Sequence, residues 1–402
     1  MTMRTLGWLA FPAAVFVLSA TSSWTIAGQE RAGAPQLVIT AFGGKPVDYK
    51  APRTPWGDPD LQGVWSSDDL ENVPMAAGGR GGRGGPAAPA GPQPLYLDES
   101  AYQARVEQVK RAATQRDTSA ESSFRFDYAR RAFPQTRLIV DPPDGRLPAI
   151  KPEAQARLMP RGTYGPGPLD SWRDFSLYER CITRGIAGSV LRVIYGNGNR
   201  IVQAPGMVAF SYEMLPDTRI FYTDGRPHIN QRIREYLGDS RAWWEGEELV
   251  VETTNLTNLT AVGVNGNGVQ HSEQMKITER IRRVANDVIQ YQATFDDPQT
   301  YERPFTISFP LTPLDGGVLL PYDCHPGNTA ISMSLAGERA EDQRLAADLA
   351  KGIIRPRRSV QDCGAGVGAA PVPGCNDAPA AAGRGAGPLP EGAATGERDV
   401  ER

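Results

Sequence analysis

Histidine is nearly absent: the 402 residues hold three, at 228, 271 and 325. Imidazole chemistry is therefore confined to three addresses. Cysteine is almost as sparse, with Cys181, Cys324, Cys363 and Cys375, and no two of them form a C-x-x-C pair. That excludes a thioredoxin-type site and a zinc ribbon. Neither sign of charge dominates, since 43 Lys and Arg stand against 46 Asp and Glu for a net charge of −3. Nothing in that balance draws the protein to nucleic acid or to an anionic membrane. The nucleophile elbow, the phosphate loop, the dinucleotide-binding fingerprint and H-E-x-x-H are all missing. The commonest hydrolase, nucleotide and metallopeptidase signatures go with them.

One apolar run stands out, from Leu6 to Leu18 after the single charge Arg4, with Thr25-Ile26-Ala27 placing small residues before Gly28. This reads as a secretory signal peptide over residues 1–27. The rival reading is a membrane anchor, but Pro12 and Ser19 interrupt the run, which falls short of the roughly 20 residues a span needs. No stable membrane span is expected once the signal is removed. Export to an oxidising compartment would favour disulfides. Of the three connectivities open to four cysteines, the expected one pairs Cys181 with Cys324 and Cys363 with Cys375.

Residues 28–51 read as a linker, 52–358 as a single β-rich domain, and 359–402 as a Gly/Ala/Pro tail. Within the domain, residues 76–94 (AAGGRGGRGGPAAPAGPQP) cannot pack a core and read as a flexible loop. Asp98–Ala113 carries a helical stripe of Tyr102, Val106, Val109 and Ala113, and Leu335–Lys351 a second, so two peripheral helices are expected. The rest is short apolar segments punctuated by turns. Leu138–Val140 and Leu147–Ile150 flank a turn signal at 141–145 and read as a hairpin or a corner, whereas Leu61–Trp65, Leu191–Tyr195, Arg200–Ala204, Met207–Met214, Arg219–Thr223, Glu248–Thr254, Met275–Val284, Val288–Phe295, Phe305–Phe309 and Val318–Tyr322 read as strands. Spacing of about ten residues between strands predicts a mainly β protein, an antiparallel barrel or sandwich. Gly63-Val64-Trp65 opening the series adds a likeness to lipocalin-like barrels.

A more extended pattern runs through ERCITRG (179–185), IVQAPG (201–206), DGRPH (224–228), LGDSRAWWEGEELVVETTN (237–255), Glu279-Arg280, Asp296-Asp297-Pro298 with Tyr301, and Cys324-His325 with Gly327-Asn328. It resembles a large family of exported bacterial proteins, common in soil, and covers most of residues 52–345. The resemblance implies a shared β-rich domain and carries no established activity. This chain departs from the pattern at Ala242-Trp243, where a Gly followed by His or Arg is expected, and at Pro326, where the family places an acid.

Four clusters bear chemistry. In Asp224-Gly225-Arg226-Pro227-His228, at a strand end, Asp224 would orient His228 as a general base while Arg226 holds an anionic group. The bland alternative is a loop stapled by an Asp–Arg pair. His271, Glu273 and Glu279 share parity on a strand, and with His228 they offer ligands for a divalent metal. The alternative pairs Glu279 with a nearby arginine. Trp243, Trp244 and Glu245 offer a stacking wall for a sugar or aromatic ligand, or else plug one end of a barrel. Cys324-His325 is a poor nucleophile pair, because strand neighbours point oppositely and a disulfide removes the thiolate. The functions these readings allow are binding of a small organic or carbohydrate ligand, hydrolase or lyase chemistry at His228, and an envelope structural module. No cofactor is expected beyond that divalent metal.

Overall fold

The computed structural model describes residues 41–77, 94–117, 127–157, 169–266 and 268–355. Strand β4 (Met207–Tyr212) shows how the fold is built: Val208, Phe210 and Tyr212 are buried, and the residues between them only half so. Successive side chains on a strand face opposite ways, so this alternation puts one face on a core. The other strands are β1 (Gly63–Ser66), β2 (Ile139–Asp141), β3 (Gly198–Ala204), β5 (Thr218–Tyr222), β6 (Asp239–Glu245), β7 (Glu248–Thr254), β8 (Lys276–Ala285), β9 (Val288–Asp296) and β10 (Phe305–Pro313). They hydrogen-bond in the order β1-β3-β4-β5-β6-β7-β8-β9-β10, and β1 returns to β10 through Trp65↔Pro313 and Ser66↔Thr312. The result is a closed 9-strand barrel, with β2 added outside on the first half of β10. All neighbours are antiparallel except β5 and β6, which meet in parallel at a single pair, Tyr222↔Arg241.

The interior is filled with side chains. Leu249 and Val251 from β7, Ile277 and Ile281 from β8, Tyr291 and Phe295 from β9, and Phe305, Ile307, Phe309 and Leu311 from β10 belong to one buried cluster. Each such aromatic or branched side chain contributes roughly 1.5–3 kcal/mol when taken from water. Among the described residues four helices accompany the barrel, α1 (Glu99–Asp117), α2 (Pro152–Gln155), α3 (Gly185–Val190) and α4 (Ala330–Ala350), of which α1 and α4 are the two peripheral ones expected from the sequence. Arg105 of α1 donates to the carbonyls of Phe133 and Gln135 at 3.0 and 2.5 Å, which docks the helix on the segment that covers β10. No helix among the described residues is long and apolar enough to cross a membrane.

Four segments differ from expectation. Leu191–Tyr195 is no strand, because the Asn197 side chain does what a ladder partner would do: it accepts from Val193 N at 2.6 Å and donates to Val193 O at 3.0 Å. Val318–Tyr322 also stays outside the sheet, following the positive-φ glycines Gly316 and Gly317. Conversely β6 is a strand the sequence hides, since Asp239-Ser240-Arg241 opens it with polar residues. Residues 41–51 do not hang free as a linker. Ala41 and Ala51 are buried, Ala41 N donates to Gln290 Oε1 at 3.1 Å, and Arg282 donates to Val47 O at 3.1 Å. The expected signal peptide, most of the glycine-rich insert, the Cys363–Cys375 pair and the tail lie outside the described residues.

The turn after β1 carries an unusual acid. Asp68 accepts from Asn197 Nδ2 at 2.8 Å, and burial, with Asp127 nearby adding to it, pushes its pKa up to about 7. The folded state thus holds a proton that the unfolded chain releases above its ordinary value near 3.8. Stability from this group is full below that lower value and is lost as pH rises through about 7. Asp68→Asn, which keeps the acceptor and removes the charge, should match the parent at pH 4. At pH 8 it should exceed the parent by on the order of 1–2 kcal/mol. Urea midpoints at the two pH values test this, and equal gains at both would refute it.

Candidate functional site

The excursion between β5 and β6, residues 223–238, carries the first predicted cluster. Asp224 does not orient His228. It is engaged by Arg226, which donates from Nε and Nη2 to its Oδ2 at 2.8 and 2.5 Å while the guanidinium lies 3.8 Å from the Tyr222 ring centroid. These bonds hold the Asp224 carboxyl below its ordinary range. The pair is exposed and staples the turn at Gly225. His228 instead donates from Nδ1 to Asp239 Oδ2 at 2.7 Å. Asp239 also accepts from Ile229 N at 3.1 Å and from Arg241 Nη1 at 2.7 Å. The other ring nitrogen lies 3.5 Å from Glu252 Oε1, at ion-pair distance and without hydrogen-bond geometry. His228 is therefore flanked by two carboxylates, of β6 and β7, and ties the excursion to the outside of the barrel.

The proposed metal ligands do not converge. His271 is buried, with Nδ1–H donating to Ser272 O at 3.0 Å and Nε2 accepting from the Thr260 hydroxyl at 2.6 Å. Burial lowers its pKa. Glu273 pairs with Arg234 at 2.9 Å. Glu279 points into the barrel. The shared parity of the three residues fails because β8 begins only at Lys276, so His271 and Glu273 precede the strand. Among the described residues no three His, Cys, Asp or Glu form a metal-holding group.

The tryptophans part company for a simpler reason. Both sit inside β6, so they face opposite ways. Trp244 packs on the interior cluster, while Trp243 donates to Glu245 Oε1 at 2.8 Å on the strand's outer side. No common stacking wall exists. Glu248 is buried at the start of β7 and pairs with Arg280, which also reaches Glu245 at 3.0 Å.

Two polar assemblies are not legible as sites in the sequence. The first lies inside the barrel. Arg219 of β5 donates from Nη1 and Nη2 to the two oxygens of Glu279 at 2.9 and 2.5 Å, and from Nη2 to Ser240 and Thr253 at 3.1 and 2.8 Å. Tyr291 donates to Glu279 at 2.8 Å, and Arg219 reaches the Tyr212 hydroxyl at 3.3 Å. Burial alone would lower the Arg219 pKa, but the Glu279 charge more than offsets it and raises it. Burial pushes the Tyr212 phenol up to about 12. Six strands, β4 to β9, each contribute one member.

The second assembly lies near the hairpin turn between β4 and β5. There the Cys181–Cys324 disulfide, with a Cα–Cα distance of 5.7 Å, joins the segment before α3 (Gly185–Val190) to the segment after β10. Beside it is a hollow of about 270 Å³, lined by both cysteines, by Ile182, Leu215, Pro216 and Tyr322, and by the ionisable Asp217, Asp323 and His325. Comparison with protein-family models, with curated proteins and with solved structures finds no match to this chain.

Arg184, two residues beyond Ile182, is 1% exposed, and its guanidinium makes one hydrogen bond, from Nη2 to Leu191 O at 3.3 Å. Nε and Nη1 are buried without a partner. Around it stand Tyr178, Tyr195 and Tyr322, whose side chains hydrogen-bond to one another. Its backbone is fixed by glycines: a Cβ on Gly266 (φ +67°) would come within 2.5 Å of Arg184 O, and one on Gly188 within 2.3 Å of Gly266 N.

Proposed function

We propose that this is an exported β-barrel protein that binds a small organic ligand at the hollow beside the Cys181–Cys324 disulfide. One observation carries the reading. The hollow combines apolar walls, Ile182, Leu215 and Pro216, with the aromatic side chain of Tyr322 and the ionisable Asp217, Asp323 and His325. That mixture of apolar surface with a few placed polar groups is what small-molecule sites use. Its volume, about 270 Å³, falls just below the roughly 300–1,000 Å³ usual for such sites and suits only a single-ring or short-chain compound. The disulfide and the apolar N-terminal run support an exported setting.

The site differs from the sequence-based choice at Trp243, Trp244 and Glu245, whose side chains do not share a face. Hydrolase or lyase chemistry at His228 has less support, because both ring nitrogens face carboxylates. The filled interior favours one alternative, a structural module of the cell envelope.

Ligand-observed NMR with a panel of small aromatic and sugar probes tests the proposal. His325 lines the hollow and is exposed, so His325→Trp should plug the hollow without disturbing the core. The expected result is a subset of probes that show transfer with the parent and lose it with the variant. If every probe behaves alike with both proteins, the hollow is not the site.

A further inference from the structure

We infer that the ligand of this hollow carries a carboxylate, received by the Arg184 guanidinium together with the hydroxyls of Tyr178, Tyr195 and Tyr322. The inference rests on the binding reading above and names the chemistry of its ligand. Arg184 is among the largest side chains that are less than 2% exposed. An arginine buried to that degree is ordinarily paired, since an unpaired cation in a protein interior costs several kcal/mol. No carboxylate among the described residues pairs with Arg184, and two of its nitrogens have no acceptor. The one bond it makes is long and goes to a neutral acceptor, Leu191 O. A buried donor left open in this way calls for an explanation, and an exogenous acceptor supplies one.

The surroundings fit an anion and not a second cation. Burial brings Arg184 down to about 10, still well above neutrality, so it is charged at physiological pH. Burial raises the phenols of Tyr178 and Tyr322, so they stay protonated and can donate. The cluster thus holds a positive charge ringed by hydroxyl donors, with no negative group of its own. Tyr322 belongs both to this cluster and to the wall of the hollow, and Ile182 lies two residues from Arg184 on the same wall. Arg184 does not itself line the hollow, and Tyr322 is the side chain the two share, so a head group reaches the guanidinium by displacing Tyr322.

Two acids of the lining decide between anions. Asp217 and Asp323 line the hollow and would repel a doubly charged phosphate more strongly than a singly charged carboxylate. A planar carboxylate also matches the guanidinium fork.

Benzoate, its neutral isostere benzamide, and inorganic phosphate are the probes, titrated by calorimetry into the full chain with its disulfide formed. Benzoate should bind at least about tenfold more tightly than benzamide or phosphate, a preference worth about 1.4 kcal/mol. Arg184→Met should erase that preference, with a melting temperature no lower than the parent's, because an unpaired buried charge is removed. Tyr322→Phe, a gentler change, should weaken benzoate several-fold and leave benzamide unaffected. If benzoate and benzamide bind equally, the carboxylate assignment is wrong while the hollow stands. Tighter binding of phosphate also overturns the assignment, and so does a benzoate preference that survives in Arg184→Met. If none of the three binds at millimolar concentration, the binding reading and the carboxylate fall together.

Discussion

Glu279→Ala is expected to destabilise the protein by about 3–5 kcal/mol. Arg219 and Glu279 are 4% and 1% exposed, so the change strands a guanidinium where water cannot reach it. The loss is the cost of an uncompensated charge, not the net value of the pair. The two can be separated. Arg219→Met combined with Glu279→Leu removes both charges and should recover most of the stability, because replacing a buried ion pair by apolar groups of similar volume is often neutral or better. Tyr291→Phe deletes one hydrogen bond to Glu279 and should cost only about 1 kcal/mol. Urea denaturation of the parent and the three variants gives the comparison. A Glu279→Ala loss below about 1 kcal/mol would mean that water enters the barrel and screens Arg219.

Replacing Cys181 and Cys324 together by serine should cost about 2–5 kcal/mol. The two cysteines are 143 residues apart, and closing so long a loop puts the bond near the top of that range if loss of unfolded-chain entropy is the main effect. Reducing agent should lower the melting temperature of the parent to about that of the variant and leave the variant unchanged. If the parent does not respond to reduction, the bond contributes little and the tie between the segment before α3 and the segment after β10 is made by packing. The same variant should weaken any ligand of the hollow, because the disulfide forms one of its walls.

Much of the barrel is legible in period-two alternation, and β7 runs over Glu248–Thr254 as expected from its uninterrupted Leu-Val-Val stretch. Alternation reports what a residue's own strand buries. It does not report who sits opposite, and most of the differences between expectation and fold come from that gap. Proximity along the chain pairs His228 with the acid four residues before it, but the fold supplies Asp239 from β6. Glu279 looks in sequence like a surface acid or a metal ligand. An arginine partner is among its alternatives, and the register brings Arg219 to it across the barrel. Arg184 carries no signal beyond its place in ERCITRG, because an arginine looks the same in sequence whether it is solvated or sealed under tyrosines. Strand β6 does leave a trace: Trp243 and Trp244 precede a Gly-Glu turn into an unmistakable strand, which is the pattern of a hairpin whose first arm is polar at its start.

The parallel meeting of β5 and β6 has a consequence for how this chain can change. Around any closed ring of strands, the number of antiparallel neighbours must be even, since each reverses direction and the ring must return to its starting sense. With 9 strands in the ring, at least one neighbour pair has to be parallel. A parallel pair cannot be joined by a tight hairpin. The excursion at 223–238, which bears His228, is therefore demanded by parity, and shortening it to a two-residue turn would require adding or losing a strand elsewhere. Insertions there keep the count and should be accepted, whereas deletions would have to rebuild the ring.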